Sequence, residues 1–156
     1  MKMLLILITA ICICGCISTA TRQNCASEEE KICQTVLLDN LSRRDTNRLA
    51  FIAFRDQSGN YIDPSDAVVA RIQAGGVPVR RVSEAGKDNQ GSVTDKKTDQ
   101  AGMIYYVGIL RWLGNSKVEV IEGSYCGGLC GGFTESTMKE KDGEWVRVKI
   151  RRMGAS

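Results

Sequence analysis

The sequence runs MIYYVGILRW (103–112), KVEVIEGS (117–124), FTESTMKE (133–140) and EWVRVKIR (144–151) in its C-terminal third, and these four segments decide the fold. Each segment has the length of a strand. Turn-forming residues separate them at Gly114-Asn115, in a cysteine-containing loop and at Asp142-Gly143. Because consecutive strands joined by short turns pair antiparallel, this part of the chain predicts an antiparallel meander.

The last segment alternates apolar and basic side chains, and successive strand residues point to opposite faces of a sheet. Its apolar residues should face the protein core, and they are Val146, Val148 and Ile150. Its basic residues should face outward and, with Trp145, form the candidate contact surface for anionic lipid or an acidic partner: Arg147, Lys149 and Arg151. A solvated strand face with no binding role is the more usual interpretation of such a basic stripe.

The residues before the meander predict two helices and a strand. Ser27 and Glu30 form a capping box that opens a helix, and Cys33, Leu37 and Leu41 recur every four residues along it. A strand should follow at residues 49–54. Asp63 is the expected N-cap of a short helix that has Pro64 at its first position and carries the apolar residues Val68, Val69 and Ile72.

Residues 83–101 are polar and rich in turn formers, which predicts a long loop with at most one short strand. The whole pattern predicts one α+β domain over residues 27–156. In it, one or two helices pack on a curved antiparallel sheet of four or five strands. Nuclear-transport-factor-like and cystatin-like folds are compatible with this arrangement.

The N-terminal residues have the shape of a secretion signal. Lys2 precedes a short apolar run that closes with Ile13-Cys14-Gly15-Cys16. This ending resembles the lipobox of bacterial lipoproteins. The resemblance implies removal of residues 1–15, acylation of Cys16 and, since Ile17 follows, a periplasm-facing position on the outer membrane. Residues 16–26 would then be a tether. A signal peptide cut after Ala20 and an uncleaved anchor are the alternatives.

Four cysteines remain if Cys16 is acylated, and an exported protein meets an oxidising compartment. They allow three disulfide pairings. Because short loops close readily, we favour Cys126 with Cys130 and, by elimination, Cys25 with Cys33. A tetrathiolate zinc site is the rival interpretation, but the spacings differ from the usual paired Cys-x2-Cys pattern. We therefore expect no metal.

The loop Tyr125-Cys-Gly-Gly-Leu-Cys-Gly-Gly132 and the later strand Gly143-Glu-Trp-Val-Arg-Val148 carry a second resemblance. Both are similar to segments of a group of uncharacterised small bacterial envelope proteins, over roughly residues 63 to 150. The resemblance implies a shared fold and supplies no activity. Physically, the glycines should allow a tight disulfide-closed corner between two strands.

The composition excludes several classes of function. Histidine is absent from the 156 residues, so no imidazole can serve as a general base, metal ligand or pH switch. The formal net charge of +3 is too small to indicate nucleic-acid binding. No nucleophile elbow or phosphate loop occurs, so the sequence predicts no catalytic residue and no cofactor.

The sequence therefore predicts a non-enzymatic envelope lipoprotein, held at a membrane by its lipid and binding an envelope protein partner. An inhibitor or immunity-type protein directed against an envelope hydrolase or toxin is one alternative. A small-ligand-binding or enzymatic domain with a pocket in the sheet is another, and it predicts a cavity with convergent polar groups. The oligomeric state is not indicated.

Overall fold

The computed structural model describes residues 19 to 155, with side chains from Glu28 onward. The helices and strands follow in chain order: α1 (Thr19–Ser42), β1 (Leu49–Arg55), β2 (Tyr61–Ile62), α2 (Asp66–Ala74), β3 (Val79–Arg81), a 3-10 turn (Val82–Glu84), β4 (Ala85–Lys87), β5 (Val93–Asp95), β6 (Gly102–Trp112), β7 (Lys117–Gly127), β8 (Cys130–Lys141) and β9 (Glu144–Ala155). The leader, Cys16 and the first residues of the predicted tether lie outside the described residues.

The α+β class and the antiparallel meander β6-β7-β8-β9 are confirmed. The predicted number of strands is too low, because the main sheet has seven strands in the order β2-β1-β6-β7-β8-β9, with β3 also paired to β1. β1 lies parallel to both β3 and β6. β2 and β3 have only two and three residues, too few for a periodic pattern to show in the sequence.

α1 buries the predicted apolar stripe. Cys33, Leu37 and Leu41 have at most 5% of their surface exposed, and they pack on the face of the sheet that carries Tyr105 and Val107. The predicted start at Ser27 is wrong, because the helix already runs from Thr19. Residues 19–26 of the predicted tether are therefore helical, and the capping box does not lie at a helix end.

α2 begins two residues later than predicted. Ser65 is its N-cap and accepts a hydrogen bond from the Val68 N–H. The carboxylate of Asp63, the predicted cap, instead accepts from the N–H of Ser83 at 2.9 Å. Serine and aspartate are comparable N-caps, so a tertiary contact at either residue decides which of them caps the helix.

The segment predicted as a loop covers the second face of the sheet. Its β4–β5 hairpin buries Val93 against Phe51 and Tyr106. Asp95 is also fully buried. Burial alone would raise the pKa of Asp95, but hydrogen bonds from Lys97, Thr98 and Arg80 lower it overall. Residues 83–101 are polar in composition, yet they form an ordered layer over the sheet. The buried carboxylate of Asp95 holds this layer in place.

Candidate functional site

Trp145 does not lie on the predicted contact surface. Only 6% of its surface is exposed, and it packs edge-on against Trp112 with ring centroids 5.7 Å apart. Its indole N–H donates to Glu28 at 3.2 Å. The Trp112 indole donates to Glu29 in the same way, at 3.3 Å. The two tryptophans therefore fasten the N-terminal half of α1 to the sheet.

The basic residues of β9 do not form the predicted continuous stripe. Arg147 faces α1 and the core, where it pairs with Glu122 at 2.5 Å and Asp39 at 2.6 Å. Arg151 pairs with the buried Glu119 at 2.6 Å, and Lys149 is exposed. Two register shifts between β8 and β9 interrupt the alternation. The prediction that β9 buries its valines and isoleucine is accordingly wrong, because Val148 and Ile150 are exposed.

Glu122 is the centre of a buried polar network under α1. Its residual exposure is 3%, and it accepts from Arg147 and from the Ser136 hydroxyl at 3.3 Å. Burial raises the pKa of Glu122, and the charge of the nearby Arg147 and the hydrogen bond from Ser136 offset this rise only in part. Glu122 Oε2, Arg147 Nε and Asn40 Nδ2 find no hydrogen-bond partner among the described residues. Keeping Glu122 and Arg147 charged in this buried network costs free energy, because both groups have lost hydration. The network also links α1 to β7 and β9.

The predicted pairing of Cys126 with Cys130 agrees with the disulfide observed there, whose Cα atoms are 5.3 Å apart. Gly127 in this loop has a φ of 113°, and a Cβ on it would stand 2.5 Å from Ser92 Cα. The loop thus packs directly on the β4–β5 turn, which is why its backbone needs glycine there. Leu129, at the tip, is 97% exposed. We call residues 126–130 the cysteine loop.

The predicted pairing of Cys25 with Cys33 does not fit the helix. Both residues lie in α1, and eight residues of continuous helix place their Cα atoms about 12 Å apart. A disulfide needs Cα atoms within about 7 Å. The side chain of Cys25 is outside the described residues, whereas Cys33 is a free, buried thiol.

We expect Cys33 to resist alkylation in the folded protein. Burial, followed by the charges of Glu29 and Glu30, raises its pKa from 9.0 to about 12. Near neutral pH the reactive thiolate should therefore be about a thousandfold rarer than in the unfolded chain. Iodoacetamide labelling with peptide mass analysis checks this. Equal labelling of Cys33 before and after denaturation would contradict it.

A cavity opens between α1, the segment that leads into α2 and the sheet. It measures about 820 Å³, and we call it the helix–sheet cleft. Three parts of the chain form its walls: Glu29, Glu30 and Cys33 of α1, then Ile62, Asp63 and Ser65 before α2, and the carboxyl ends of the parallel strands β1 and β6. Crevices at the carboxyl ends of parallel strands are common ligand sites.

No protein-family model matches the chain, and no curated protein or solved structure is significantly similar to it. Within residues 19–155, no helix is long and apolar enough to cross a bilayer. The same residues contain no group of three side chains placed to hold a metal ion. Any function must therefore be argued from the surfaces of this chain itself.

Sequence reasoning missed Glu122, Leu129 and the helix–sheet cleft. Glu122 lies in an alternating strand segment, where a single carboxylate signals nothing without knowledge of which face is buried. Leu129 offered a usable signal, because an aliphatic residue between Gly128 and Cys130 is unusual at a turn, where polar residues dominate. The cleft depends on the parallel pairing of β1 with β6, which joins residues about fifty positions apart.

Proposed function

We propose that this chain is a lipid-anchored protein of the bacterial cell envelope whose domain binds a protein partner through the cysteine loop. The lipobox-like Ile13-Cys14-Gly15-Cys16 supports the anchor, with outer-membrane placement following from Ile17. The Cys126–Cys130 disulfide supports export, since such bonds persist in oxidising compartments. A kinship with nuclear-transport-factor-like or cystatin-like folds remains part of this proposal, supported by two helices packed on one face of a sheet.

α1 runs from the end of the sheet nearest the proposed lipid anchor to the end that carries the cysteine loop. Glu28 lies beside Trp145, at the start of β9. The other end of α1 leads to Asp45, whose N–H donates to the Tyr105 hydroxyl near the start of β6. The cysteine loop joins β7 and β8 at this second end. Because a strand of twelve residues spans about 36 Å, a lipid before α1 would leave the loop facing away from the membrane.

The observation that carries the proposal is the 97% exposure of Leu129 on a disulfide-closed loop. A fixed loop loses little conformational entropy on binding, so its single apolar side chain can insert into a partner's pocket at low cost. Two cations flank this end, since Lys87 lies over Tyr125 and Arg152 over Phe133. The matching surface is an apolar pocket rimmed by carboxylates. An inhibitor or immunity-type protein is one form of binding module that is compatible with such a loop.

A photo-cross-linking amino acid at position 129, in intact cells, tests the proposal. We expect a discrete protein adduct from position 129 and none from position 113, whose leucine is exposed in the β6–β7 turn at the opposite end. Exchanging both Cys126 and Cys130 for serine should lower the yield at position 129 severalfold. The same adducts from both positions, or only lipid adducts, would refute partner binding by the loop.

Small-ligand binding is the second candidate function, and the helix–sheet cleft is the observation that favours it. Its volume of about 820 Å³ lies within the range of about 300–1,000 Å³ typical of ligand pockets. A ligand site in the cleft and a protein-binding loop at the far end are compatible, because they occupy different ends of the sheet.

A further inference from the structure

Carboxylates line one wall of the helix–sheet cleft. The arginine side chains near them interact with other groups. Glu29 and Glu30 line it from α1. The guanidinium of Arg111 is bonded to Glu119 at 2.6 Å. That of Arg55 lies 5.8 Å from the centroid of the Tyr106 ring, and Tyr106 belongs to the apolar cluster on the other face of the sheet. The helix side of the cleft is therefore electronegative.

The floor of the cleft is apolar. Phe54, Ile109 and Trp112 are partly buried there against the main core. At its mouth, Ile62 and Leu110 leave 49% and 40% of their surface in contact with water. A ligand that covered these side chains would gain hydrophobic free energy, and the indole face of Trp112 would attract a cation.

We propose that the helix–sheet cleft binds a small amphipathic cation, with its apolar tail on Phe54 and Ile109 and its ammonium group beside Glu29 and Glu30. A neutral apolar molecule would strip water from these carboxylates without replacing it. An anion would be repelled by them. Only a molecule that combines an apolar body with a positive end matches both walls, and this inference does not depend on the lipid or on the cysteine loop.

The test uses the purified protein and three probes with the same phenylbutyl tail: 4-phenylbutylammonium, 4-phenylbutanol and 4-phenylbutyrate. Binding is followed by the indole N–H resonances of the two tryptophans, assigned with Trp112→Phe. We expect the ammonium to shift Trp112 and to bind about tenfold more tightly than the alcohol, as ion pairs with two carboxylates near the surface allow. The carboxylate should bind more weakly than the alcohol.

Glu30→Gln supplies the matched variant, because Glu30 makes no hydrogen bond among the described side chains and its loss should leave the fold intact. It should weaken ammonium binding about fivefold and leave alcohol binding unchanged, as expected for an ion pair near the surface. Glu135→Gln removes the same charge on β8, two strands away from β6 and outside the cleft lining, and should change neither. The proposal would be overturned by equal affinities for the ammonium and the alcohol, or by equal effects of the two variants. Resonance shifts that spare Trp112 would also overturn it.

Discussion

Arg147→Ala is expected to destabilise the domain by about 3 kcal/mol, because it leaves Glu122 buried without its main counter-charge. In the native protein Arg147 bonds to Glu122 at 2.5 Å and to Asp39 at 2.6 Å. Removing one partner of a buried pair costs far more than the pair itself contributes, since the remaining charge has lost its hydration. Urea unfolding followed by circular dichroism measures the change.

The stability loss caused by Arg147→Ala should increase with pH. The pKa of Glu122 is already raised in the folded state above its ordinary value of 4.5, and it should rise further without Arg147. A carboxyl group with a raised folded-state pKa favours folding at low pH and loses that contribution as pH rises through the folded pKa. The loss caused by Arg147→Ala should therefore be larger at about pH 8 than at about pH 4.5.

Lys149→Ala is the matched control for this prediction, because Lys149 is exposed on the same strand. It should change stability by less than about 0.5 kcal/mol at either pH. The double variant Glu122→Gln with Arg147→Met should be more stable than Arg147→Ala, since no unpaired charge remains. Equal losses from Arg147→Ala and Lys149→Ala would show that Arg147 is a surface residue, as the alternation in the sequence had suggested.

Gly127→Ala is expected to destabilise the domain by about 3 kcal/mol, through both backbone strain and a clash. Its φ of 113° is one that residues with a Cβ rarely adopt, and the added Cβ would stand 2.5 Å from Ser92 Cα and 2.6 Å from Gly91 O. Neither contact is with a flexible side chain, so the β4–β5 turn would have to move off the cysteine loop. Thermal unfolding with the disulfide intact measures the loss.

Gly128→Ala is the control in the same loop. Gly128 has a φ of 50°, and an added Cβ would meet nothing within 4 Å. Only the cost of the left-handed conformation applies, about 1 kcal/mol. If the two substitutions cost the same, the contact between the cysteine loop and the β4–β5 turn does not support the fold.

Local patterns were enough to predict the parts of the fold that depend on sequence neighbours. The stripe Cys33, Leu37 and Leu41 is buried because a helix repeats every 3.6 residues. The meander follows from strand-length segments and short turns. The sequence also favoured the Cys126–Cys130 pair because only three residues separate the two cysteines.

The errors arose where tertiary contacts override local rules. In β9 the bulges against β8 change which face each residue occupies, so Arg147 points inward and Val148 outward. No periodicity rule places a bulge. The pairing of Cys25 with Cys33 failed because the helix extends further toward the N-terminus than its capping signal at Ser27 indicated.

The candidate sites were less accessible to prediction than the fold. The helix–sheet cleft assembles residues from α1, β1 and β6 that are distant in sequence. The cysteine loop was visible as a motif, but only its geometry reveals that Leu129 projects into solvent at the end opposite the start of α1. Surfaces of this kind depend on relative placement, which composition and spacing do not encode.

The intact mass of the protein extracted from the membrane fraction, measured with and without reductant, tests the account most directly. We predict a chain that lacks residues 1–15, carries the added mass of acyl groups on Cys16 and gains two hydrogen atoms on reduction, from the Cys126–Cys130 bond. The Cys16→Ser variant should keep its leader and carry no acyl mass. A cytosolic protein that retains Met1, with every cysteine reduced, would contradict the account.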